Sequence, residues 1–76
     1  MTDRLAEDME RLLGWRMEYV LAYPKTREWL KLLRTAEPGG LPHVARAIAA
    51  DSDEAPEALL FKKLLEKLLE TRAGTA

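Results

Sequence analysis

The chain has 76 residues, a net charge of −1 and no cysteine; it is 47% hydrophobic and 33% charged. Those totals suit one folded domain, residues 1–76, rather than a disordered chain. They exclude disulfide staples and a global field for nucleic acid or acidic membranes, and no run approaches the ~18 apolar residues of a membrane span.

A domain this short buries a modest fraction of its surface. Without disulfides it depends on regular helix packing, metal or self-association. Asn and Gln are absent as well as Cys, a thermophile-like composition that depletes labile side chains. The opening "MTDRLAEDMERLL" is charged throughout and lacks the apolar region of a secretory signal. With the missing cysteine, this leads us to expect a cytoplasmic protein.

The spacing predicts a first helix over residues 3–23, capped by Thr2 or Asp3, with Glu7 and Asp8 complementing its dipole. At about 100° per residue, Leu5, Met9, Leu12, Leu13, Met17, Tyr19, Val20 and Tyr23 share one broad face. Gly14 falls on the opposite, polar face, where a mid-helix glycine is a local weakness. Arg16 falls inside the apolar arc. Either its stem packs while the guanidinium reaches water or a glutamate, or it meets a carboxylate at a subunit interface or cleft. Trp15, at the edge of the arc, is placed to cluster with Tyr19, Tyr23 and Trp29.

Pro24 ends the first helix, since the residue before a proline avoids the helical region. Thr26 then caps a second helix over 26–36, whose apolar side is Trp29, Leu30, Leu32, Leu33 and Ala36. Its other side carries a basic stripe, Arg27, Lys31 and Arg34, with Lys25 nearby. Together these four are the candidate patch for an anionic partner. "EPGGLP" is the strongest break in the chain. Gly39 or Gly40 supplies a left-handed helix stop, and Pro42 opens a third helix over 42–50. Ser52 or Asp53 caps a last helix over 54–72. There Leu60, Phe61, Leu64, Leu65, Leu68 and Leu69 form an apolar half, opposite Lys62, Lys63, Glu66, Lys67 and Glu70. Leu59 lies outside that apolar half. Residues 73–76 form a frayed tail.

The candidate chemistries fall away in turn. "DSDEAPEALLFK" places Asp51 and Asp53 as a calcium loop would, but the glycine position holds Pro56 and the closing glutamate position holds Lys62. His43 is the only histidine and has no companion ligands. Ser52 is the only serine and sits at a capping position. We therefore expect no catalytic residue, metal or cofactor. "HVARAIA" resembles the first helix of a helix-turn-helix. Beyond that heptapeptide the chain departs from the pattern, with a long connection and a next helix opening on Asp53, Glu54 and Glu57.

The expected fold is an all-α bundle of four helices, the first and last longest. The apolar half of the last helix is wider than so short a bundle covers. This predicts a two-fold homodimer through the first and last helices, with Leu12, Arg16, Val20, Leu60, Leu64 and Leu68 at the interface. The expected function is a non-catalytic protein-interaction or regulatory module. The alternative is a small helix-turn-helix-like DNA-binding regulator, using residues 41–70 and the basic stripe.

Overall fold

A computed structural model describes residues 5–74, with side chains through residue 71. The expected caps at Thr2 and Asp3 lie outside the described residues. Helix α1 spans Leu5–Leu13 and buries Leu5, Ala6, Met9 and Leu13, an i, i+4 ladder with one small residue beside it. It stops at Gly14, whose φ of +53° is the only positive φ among the described residues. An L-residue there would bring its Cβ against the following carbonyl, so only glycine adopts it without strain.

The first helix is therefore not continuous over 3–23. A 3₁₀ turn, Gly14–Arg16, leads into a short second helix, α2, Met17–Leu21. Met17, Val20 and Leu21 turn inward, while Trp15, Glu18, Tyr19 and Ala22 turn outward. Gly14 is thus a structural requirement rather than a weakness on a polar face.

At Tyr23 the chain becomes extended (φ −81°, ψ 123°), as Pro24 requires, and Pro24 opens helix α3, Pro24–Thr35. Thr26 does not cap this helix. It is fully buried, and its hydroxyl is donated toward the carbonyls of Val20 and Tyr23 (2.8 Å to the latter), tying the start of α3 to the end of α2. Helix α3 ends when Ala36 turns extended (ψ 141°). The glycines of "EPGG" are not left-handed: Gly40 has φ −96°. The Glu37 carbonyl accepts both Gly40 N–H and Leu41 N–H at 2.9 Å, so this turn forms the lead-in to helix α4, Leu41–Ala49.

Helix α5, Pro56–Gly74, is the longest and packs against each of the other four helices. Its start is set by two successive aspartate turns. Asp51 Oδ1 accepts Asp53 N–H and Asp53 Oδ1 accepts Ala55 N–H, each at 2.8 Å. The tail expected from residue 73 is helical through Gly74, and 75–76 lie outside the described residues. Phe61 anchors the core. It is fully buried, with its ring centroid 5.5 Å from that of Trp29 and the two planes tilted by 53°. Around this pair close Leu5, Met9, Leu13, Val20, Leu30, Leu33, Leu41, Ala45, Ile48 and Leu65. The fold is the expected small all-α bundle, with its first helix divided in two.

Candidate interaction site

The core consumes most of the apolar surface assigned to a dimer interface. Val20 is fully buried and offers no surface. Leu12, Leu60, Leu64 and Leu68 are half-buried, the last three packed against the chain's own core. Arg16 is also half-buried, with its guanidinium carbon 4.9 Å from the centroid of the Trp15 ring. Its cation thus lies against a neighbouring aromatic face.

The large apolar side chains left in water are others. Trp15 is 84% exposed, Tyr19 53%, Leu59 47% and Leu32 41%. Exposed Leu59 agrees with its place outside the apolar half of α5. Trp15 and Tyr19 stand one helical turn apart and do not join Trp29, which is buried against Phe61. The expected aromatic cluster at the first corner therefore does not form. Beside Trp15 runs an open groove of about 580 Å³ with Gly14, Met17, Leu21 and Ala22 along it and Glu18 at its side. At Gly14 the groove lies open: a Cβ added there would meet no atom within 4 Å. A smaller apolar groove of about 300 Å³ lies between α3 and α4, with exposed Leu32 and His43 on its rim.

The basic stripe is divided by its own chain. Arg34 pairs with Glu10 at 2.7 Å. Lys25 lies 3.0 Å from Asp51 and 3.4 Å from Asp53. Arg27 and Lys31 remain as exposed cations on α3.

Lys25 belongs to a polar hub that locks the α4–α5 connection to the α2–α3 corner. Tyr23 donates its hydroxyl to Asp53 Oδ2 at 2.6 Å. Lys62, only 9% exposed, donates to the carbonyls of Asp51 (2.5 Å) and Asp53 (2.7 Å). The Tyr23 hydroxyl, then the Ala55 N–H, hold the Asp53 carboxyl below its usual range. The Asp53 N–H and then Lys25 do the same for Asp51. Reciprocally, the bond to Asp53 raises Tyr23 and the bond to Asp51 raises Lys25. The hub's donors and acceptors face one another. This arrangement closes a joint and aims no reactive atom at a cavity. Among the described residues no cluster of ligating side chains has the geometry to hold a metal, and no helix is long and apolar enough to cross a membrane.

Sequence reasoning missed Lys62 and the Tyr23–Asp53 bond. Lys62 had a signal. Ala58, Lys62, Leu65 and Leu69 follow the 4, 3, 4 spacing of one buried seam. The Tyr23–Asp53 bond had none, because it joins residues 30 apart in the chain.

The chain matches no protein-family model, and no curated protein and no solved structure is significantly similar to it.

Proposed function

We propose that this protein is a non-catalytic interaction module whose working surface is the Trp15–Tyr19 corner created by the helix break at Gly14. One observation carries the reading: an 84% exposed tryptophan stands beside an apolar groove that the chain itself leaves unfilled. Tryptophan and tyrosine are the side chains most enriched at the energetic centres of protein interfaces. Exposed on a small domain, they cost solubility unless something covers them. The reading moves the interface from the outer faces of the first and last helices to α2, because those faces are largely spent on the core. It assigns no cofactor and places the protein in the cytoplasm, which a chain without cysteine suits.

The test is capture from an extract of the source cells, using tagged wild type and a Trp15→Ala/Tyr19→Ala variant, with Arg27→Ala as an exposed control. The reading expects proteins, or untagged copies of this chain, held by wild type and by Arg27→Ala but lost by the double variant. Equal capture by all three sinks it.

A further inference from the structure

We infer that the groove between α3 and α4 binds a small neutral molecule that carries a carboxamide on an aromatic body. The site is separate from the Trp15 corner and independent of the interaction reading. It starts from an indole N–H. Trp29 is only 5% exposed, and among the described residues its N–H reaches no acceptor. No side-chain nitrogen or oxygen there is both fully buried and unpartnered, so this donor lies in the sliver of the ring that solvent reaches. Trp29 lines the α3–α4 groove, and the N–H opens there. A tryptophan buried this deeply ordinarily satisfies its N–H within the protein. Here the donor is left to whatever occupies the groove.

A second polar atom stands at the same end. Lys25 and the Asp53 N–H both bind Asp51 Oδ1, and Asp51 Oδ2 has no partner among the described residues. Asp51 also lines the groove. Lys25 bonds Asp51 and stands 5.7 Å from the centroid of the Trp29 ring, which sets Asp51 and Trp29 together. Leu32, Val44, Ala47 and Ile48 supply the apolar walls. The polar end therefore offers one N–H donor and one carboxylate acceptor. A carboxamide answers both: its oxygen accepts from Trp29, and its N–H donates to Asp51 Oδ2 in a charge-assisted bond. Charge selects against the alternatives. Lys25 and Lys62 already balance Asp51 and Asp53 across the hub. An anion or a cation entering the groove would lose water and find no free counter-charge. The volume, about 300 Å³, is at the lower end of small-molecule sites and suits a body of one or two rings. An open groove of this size holds so small a molecule at roughly millimolar strength.

The experiment is a ¹H–¹⁵N NMR titration of the whole labelled chain with benzamide, benzoate and benzylammonium, each to about 20 mM. The three probes share one ring and differ in the charge and hydrogen bonding of the head. With benzamide, the Trp29 indole N–H and the amides of Leu32, Val44, Ala47 and Ile48 should shift together, while the Trp15 indole stays put. Benzoate and benzylammonium should bind at least about fivefold more weakly. Ala47 is exposed on the groove wall, so Ala47→Leu fills the groove without entering the core and should abolish the response. Trp29→Phe keeps a ring against Phe61 but removes the donor, and should weaken benzamide about fivefold to tenfold. Far-UV circular dichroism checks that both variants are folded, and Ala47→Leu decides alone if Trp29→Phe is not. An unmoved Trp29 indole overturns the inference. So does a response that survives Ala47→Leu, a charged probe that binds as well as benzamide, or a folded Trp29→Phe that binds as tightly as wild type.

Discussion

Replacing Gly14 by alanine tests the helix break through the sign of its effect. At φ +53° an L-alanine is strained by about 1–2 kcal/mol. It also reduces the freedom of the unfolded chain, which offsets about 0.4–1 kcal/mol. No steric contribution enters, because the new Cβ meets nothing within 4 Å. The net expectation is a loss of about 1 kcal/mol. Had α1 run straight through residue 14, the same exposed substitution would gain about 1 kcal/mol from helix propensity. The two cases differ by about 2 kcal/mol. Urea unfolding followed by far-UV circular dichroism resolves this, since a slope of about 1 kcal/mol per molar turns it into midpoints about 2 M apart. Gly40→Ala is the control. Gly40 has φ −96°, and its added Cβ would lie 3.8 Å from the Glu37 carbonyl oxygen, an ordinary contact. Gly40 is the N-cap of α4, where alanine is disfavoured, so the entropic gain of about 0.4–1 kcal/mol is offset and this variant is expected to change little. Stabilisation by Gly14→Ala would refute the left-handed break.

The remaining predictions concern the core, the hub and the surface. Phe61→Ala is expected to cost about 3–5 kcal/mol, much of the ~4–11 kcal/mol available to a domain of this length; calorimetry should find the variant largely unfolded or with its transition sharply lowered. Lys62→Met strands the carbonyls of Asp51 and Asp53 and should lose about 1–3 kcal/mol in urea titration, whereas Lys63→Met, on the exposed side, should change almost nothing. The hub's pH dependence has two limbs. Asp51 and Asp53 are lowered, so their contribution is full above about pH 4 and fades as pH falls through their depressed values. Lys25 and Tyr23 are raised, so theirs is full below about pH 10 and fades as pH rises through their elevated values. An Asp53→Asn variant should lose stability at neutral pH and show a shallower acid limb in pH-dependent melting. An unchanged acid limb would contradict the hub. Trp15→Ala should leave the melting temperature of dilute protein nearly unchanged, within about 0.5 kcal/mol, while Trp29→Ala should lower it strongly.

The helices were legible because their signals are local. Apolar residues recur at helical spacing, prolines open α3 and α5, and acids gather near the start of α5. The same local reading misplaced the glycines. "EPGG" has the composition of a left-handed stop, yet an extended Ala36 ends α3 and leaves Gly40 right-handed. Gly14 lies in a continuous apolar rhythm with no proline or polar cluster to mark it, yet it is the residue that turns left-handed. The same reading put Tyr19 on the core face, although its side chain is 53% exposed. The hub was hidden for another reason. Tyr23, Asp53 and Lys62 come from three separate stretches, and only tertiary packing brings a buried ammonium to the backbone carbonyls of a turn.

The proposal that the protein works through the surface exposed by the Gly14 break is tested most directly by an amide ¹H–¹⁵N NMR titration of the labelled chain with the partner it captures, whether another protein or unlabelled copies of itself. Each backbone amide of the wild-type chain reports separately. The expected result is a set of concentration-dependent shifts confined to residues 14–22 and the Trp15 indole. The groove between α3 and α4 and the exposed face around Arg27 and Lys31 should stay unmoved. Shifts that map to Leu32, His43 and Leu59 instead, with residues 14–22 constant at every concentration, would contradict the proposal.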